Sequence, residues 1–87
     1  MDSIEYELKT RDFVSYMKSE IRTLNGSILD LAEKYDSLED FELEDFQDEC
    51  NWRECLMETL SYYLSPSDLM SFTTEVDISR QLEEKIG

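Results

Sequence analysis

Apolar residues recur at intervals of three and four along most of the 87-residue chain, the period of helices buried on one face. Phe13, Met17, Ile21 and Leu24 form one such stripe, widened by Val14, and Asn25-Gly26 offers a stop. Ser27 then supplies an N-cap with Asp30 three residues on, and Ile28, Leu31, Ala32 and Tyr35 carry a second stripe. Val14, Met17, Ile21, Leu24, Ile28, Leu31, Tyr35 and Leu38 also keep heptad spacing, which would suit one long coiled-coil helix. Glycine costs about 1 kcal/mol inside such a helix, and Asn25-Gly26-Ser27 is turn-and-cap chemistry, so two helices packed as a hairpin are expected.

A further long helix is predicted from about Phe46 to Leu64, with Trp52, Leu56, Leu60 and Tyr63 on one face and Met57 and Leu64 beside them. Ser65 is an N-cap with Pro66 at the first helical position and Asp68 in the first turn, so another helix opens there. Two segments alternate with period two: residues 4–9 and residues 72–78, each a candidate strand and each the other's natural partner. In the alternative, residues 4–9 begin a helix, and Asp77 caps a last helix through Ile78, Leu82 and Ile86. The expected fold is mainly α: a small bundle of four to five helices, with a minor two-stranded β element as an open addition. Residues 1–87 form a single compact acidic domain in this reading.

Composition bears first on whether the chain folds. Leu, Ile, Val and Phe make up 22 of the 87 residues, about a quarter, which is above the range typical of disorder. Five Tyr, one Trp and four Met add core material. No apolar run approaches the roughly 18 residues of a membrane span, and the acidic start Met1-Asp2-Ser3-Ile4-Glu5 lacks a signal-peptide pattern, so a cytoplasmic location is expected. Cys50 and Cys55 fall in one predicted helix, about 140° apart around it, which suits reduced thiols better than a disulfide. Without histidine, and with two thiols outside a CxxC spacing, neither a zinc site nor any cofactor is expected. Trp52 reads as the centre of the core, and of Tyr62 and Tyr63 one can be buried while the other is at least partly exposed.

Charge then changes the picture. The chain holds 22 acids against 8 bases, a formal net charge of −14, which disfavours direct contact with nucleic acid or an anionic membrane. Residues 35–52 alone carry eight acids and no base. Leu38, Phe41, Leu43 and Phe46 thread through them, so the segment can dock on the core while its carboxylates point outward. If helical, Glu39, Asp40, Glu42, Glu44, Asp45, Asp48 and Glu49 would present seven carboxylates over about 15 Å, one per roughly 2 Å. Duplex DNA carries one charge per about 1.7 Å of axis. These seven residues are the candidate partner-binding set. A calcium loop is not expected, since Leu38 and Phe41 occupy its third and sixth positions counted from Asp36.

No residue pattern selects a catalytic pair, and with two glycines neither a phosphate loop nor a serine elbow is present, so a non-enzymatic role is expected. In size, acidity and composition the chain resembles the small acidic inhibitors encoded by phages and mobile elements, namely anti-CRISPR and anti-restriction proteins of the DNA-mimic kind. The run Glu39-Asp40-Phe41-Glu42-Leu43-Glu44-Asp45-Phe46-Gln47-Asp48-Glu49 carries most of that resemblance. It implies a basic nucleic-acid-binding enzyme, a nuclease above all, as partner, blocked at its DNA or guide-RNA site in the cytoplasm of a host cell. The competing expectation is a helical interaction module, either an adaptor or homodimer using the Val14–Leu38 seam, or a toxin-immunity protein.

Overall fold

The computed structural model describes the backbone of residues 3–86 and the side chains of residues 9–86. Among these residues the chain is mainly α-helical: α1 (Ser3–Glu33), α2 (Asp40–Ser61), α3 (Pro66–Glu75) and α4 (Ser79–Ile86), with a single 3-10 turn, Tyr35–Ser37, between α1 and α2. No strand occurs among them, so the expected two-stranded addition is not formed. Residues 4–9 are the first turns of α1, while the side chains of Ile4, Tyr6 and Leu8, on which the alternation rested, lie outside the described set. Residues 72–78 divide between the end of α3 and the turn that follows it. Phe72 and Val76 are both buried, and their four-residue spacing is satisfied by a helical turn with one face on the core. Local β propensity yields there to burial, as it commonly does.

The expected break at Asn25-Gly26 is also overturned. α1 runs unbroken through it to Glu33, because Met17, Ile21, Ile28 and Ala32 all belong on one buried stripe and a continuous helix keeps them in phase. Asn25 and Ser27 do not cap. The Asn25 Nδ2 group donates to the carbonyl of Val76 at 3.0 Å, and Ser27 Oγ lies 2.9 Å from each carboxylate oxygen of Glu49. Gly26 is exposed and is tolerated at about 1 kcal/mol. The long-helix alternative fails only at its end, since Tyr35 falls in the 3-10 turn and Leu38 in the connection to α2.

Two contacts set the α1–α2 register. Ser27 meets Glu49, and Phe13 meets Tyr63 edge-on with ring centroids 5.6 Å apart. The two pairs are equally separated along both segments, Tyr63 lying in the turn just past α2, and run in opposite senses, so α1 and α2 lie antiparallel. Met17, Ile21, Leu56, Leu60, Phe72 and Val76 form the core between α1, α2 and α3. Arg22 binds Glu75 at 2.8 Å while its guanidinium covers the Phe72 ring, as does Lys18. α4 closes the other end, with Ile78 buried and Lys85 reaching Glu33 at 3.8 Å. Its start is held by Asp77, whose Oδ1 accepts from the Ser79 N–H at 2.9 Å, in line with the alternative expectation for residues 72–78.

The core is thin and long. The Cα radius of gyration is 15.5 Å with extents of 53 × 25 × 15 Å, against about 12 Å for a compact globule of this length. The 31-residue α1 acts as a spine on which the shorter helices pack. Among the described residues no helix is long and apolar enough to cross a membrane.

Candidate functional site

α2 starts six residues earlier than expected, and its first turn explains why. Glu39 is the N-cap; its carboxylate accepts from the backbone N–H of Glu42, whose side chain in turn accepts from the Glu39 N–H at 3.3 Å. This reciprocal capping box, with Asp40 and Glu42 placed at the positive end of the helix dipole, turns acidic residues into a helix start. The acidic run is therefore helical from Asp40 onward.

The seven candidate carboxylates fall into three groups. Glu39 and Glu42 close the cap. Glu49 turns toward α1 and is held by Ser27. Asp40, Glu44, Asp45 and Asp48 stand in solvent, and among the described residues no hydrogen bond or ion pair engages their side chains. These four span about 12 Å of helix axis, one charge per roughly 3–4 Å. A single DNA strand carries one per about 3.4 Å, so the exposed set matches one strand where the whole run had suggested a duplex.

Arg53, the one base of α2, does not neutralise this face. It points inward, donating from Nε to Asn25 Oδ1 at 2.6 Å and from Nη2 to the Val76 carbonyl at 2.7 Å. The cation thus sits at the C-terminal end of α3, where the helix dipole favours it. Lys34, between α1 and the 3-10 turn, is the nearest exposed base before the run.

Sequence reasoning missed the continuation of the face. Glu54 and Glu58 are exposed one and two turns beyond the run, and their spacing places them with Asp40 and Glu44 on the outward side of α2. The signal was available as a three-to-four-residue periodicity in the acids. From Asp40 to Glu58 the outward face extends about 27 Å.

The aromatics depart further from expectation. Trp52 is 49% exposed and Phe41 61%, so neither is a core centre. Leu56 and Leu60 fill the place expected of Trp52, because α1 crosses the side of α2 that they share with Arg53. Tyr62 is almost free of contact, and Tyr63, also exposed, keeps its edge-on contact with Phe13. Both cysteines are free thiols. Cys50 is half-buried and its thiol pKa is raised, chiefly by burial, with Arg53 opposing; Cys55 is exposed. Among the described residues no group of three or more Cys, Asp or Glu side chains converges to hold a metal ion. No protein-family profile, curated protein or solved structure matches this chain.

Proposed function

We propose that this chain is a non-enzymatic acidic inhibitor of the DNA-mimic kind. It would occupy the basic DNA or RNA site of a nucleic-acid-binding enzyme, of CRISPR-nuclease or restriction type, in the cytoplasm of a host cell. One observation carries the reading: Asp40, Glu44, Asp45 and Asp48 are held on a capped helix, exposed and, among the described residues, unpaired, while the only base of that helix is turned away toward Asn25 and Val76. Solubility alone does not require such clustering, and clustering costs stability through self-repulsion until a partner supplies positive charge. A rigid array also loses little conformational freedom on binding, which favours affinity.

The test is a tagged pull-down and inhibition assay against a panel of CRISPR nucleases and restriction enzymes, washed at about 50 mM and about 500 mM salt. A target should bind at the lower salt, be released at the higher, and be displaced by competing nucleic acid. The variant Asp40→Asn/Glu44→Gln/Asp45→Asn/Asp48→Asn should lose inhibition while melting at the same or a higher temperature. Full inhibition by that variant, or binding indifferent to salt and nucleic acid, sinks the proposal.

The second reading, a helical interaction module, has a different footing from the one expected. Met17, Ile21 and Ile28 of the apolar seam are buried against the chain's own helices. An adaptor surface would instead use the exposed Phe13, Tyr16, Tyr62 and Met70, and its binding would tolerate salt.

A further inference from the structure

Phe41, Asp45, Asp48 and Trp52 follow one another at intervals of four, three and four residues, which sets them on a single stripe along α2. Both rings are exposed, Phe41 at 61% and Trp52 at 49%, and neither belongs to the core cluster. The two carboxylates between them are exposed and, among the described residues, unpaired. Glu44 flanks the stripe on one side and Glu49 on the other, and no base of α2 reaches it, since Arg53 is held by Asn25 and Val76.

Aromatic faces alternating with carboxylates suit one cation better than another. A guanidinium is flat and weakly hydrated: it stacks on a ring while its N–H groups engage a carboxylate. A lysine ammonium is a compact, strongly hydrated charge that gains less from the ring. We propose that the Phe41–Trp52 stripe is an arginine-recognition surface, and that its occupant is an arginine-rich protein surface whose guanidinium groups stack on Phe41 and Trp52 and pair with Asp45 and Asp48. Charge complementarity selects this occupant: nucleic acid and anionic lipid bring the same sign of charge, and a second copy of the chain brings a net charge of −14. The inference rests on the reading of α2 as the contact face and deepens it by naming the group that is recognised.

The experiment titrates the full chain into fluorescein-labelled nona-arginine and nona-lysine at about 100 mM salt and reads anisotropy. Each ring should favour the arginine peptide by roughly two- to five-fold, and the pair by on the order of ten-fold. Phe41→Leu/Trp52→Leu should remove most of that ratio by weakening the arginine complex alone, whereas Asp45→Asn/Asp48→Asn should weaken both complexes. In the unaltered protein, the ring protons of Phe41 and the indole N–H of Trp52 should shift more with nona-arginine than with nona-lysine. That readout stands even if the leucine variant fails to fold. Equal affinity for the two peptides overturns the inference while leaving a purely charge-driven face intact. So does a preference that survives loss of both rings, or ring signals that respond alike to both peptides. Failure of both peptides to bind at low salt overturns this inference and the charge reading together.

Discussion

Arg53 donates from Nε to Asn25 Oδ1 at 2.6 Å, and both side chains donate to the same acceptor, the carbonyl of Val76. Three helices are thereby tied at one point: α1 through Asn25, α2 through Arg53, and the C-terminal end of α3 through Val76. Asn25 is the one buried polar residue of the described core, and each of its amide groups has a partner.

Replacing Arg53 by Met should cost about 2 kcal/mol, since the Asn25 carbonyl loses its donor in a part-buried setting. For a domain of this size that lowers Tm by roughly 8–16 °C. Arg53→Lys should recover little, because one ammonium lacks the fork that meets both acceptors. Asn25→Ala combined with Arg53→Met should cost less than the sum of the single changes, and thermal melts of the four proteins in the cycle measure that coupling.

Gly26 gives the opposite sign. It lies mid-helix and exposed, and a Cβ added there meets nothing within 4 Å. Gly26→Ala should therefore stabilise the protein by about 1 kcal/mol. Gly26→Pro should destabilise by about 3 kcal/mol or more. Destabilisation by alanine would show that residues 25–27 are a turn in solution and that α1 is two helices.

At the start of α4, the Ser79 hydroxyl and then the Ser79 backbone N–H hold the Asp77 carboxyl below the ordinary aspartate value. A carboxylate with a lowered folded value contributes stability that is fully present above its unfolded value, near 3.9, and is lost as pH falls through the folded value. Hydrogen exchange of the α4 amides should accordingly lose protection below about pH 4 relative to α1. In Asp77→Ala that protection should already be low at neutral pH. Reading α4 locally separates this effect from the general relief of charge repulsion in acid.

The cysteines should differ in reactivity. Cys55 is exposed, whereas Cys50 is half-buried with its thiol pushed up by burial. A disulfide reagent at about pH 8 should modify Cys55 first and Cys50 at least roughly ten-fold more slowly. Cys50→Ser and Cys55→Ser assign the two phases, and equal rates would mean that α2 opens faster than the reagent reacts.

The pattern of apolar positions made the helical class visible, and local chemistry located the α3 start at Ser65, Pro66 and Asp68 because every partner there is a near neighbour. Asn25-Gly26-Ser27 misled because the groups that occupy Asn25 and Ser27 come from Glu49, Arg53 and Val76, far along the chain. The acidic run was legible as a run. Its division into capping, inward and outward carboxylates was not, since that depends on which side of α2 meets α1. Trp52 misled for the same reason: a large ring on a helix signals burial only when the neighbouring helix passes over it.

Trp52 is the chain's single tryptophan and stands half in solvent on the acidic face, away from the core. The intrinsic fluorophore therefore observes the surface. Unfolding should change its emission only modestly, so melting curves followed at this wavelength will have a small amplitude, and circular dichroism is the better probe of unfolding. Anything that settles on α2 should quench or blue-shift it strongly, which gives the unlabelled protein its own optical readout of occupancy.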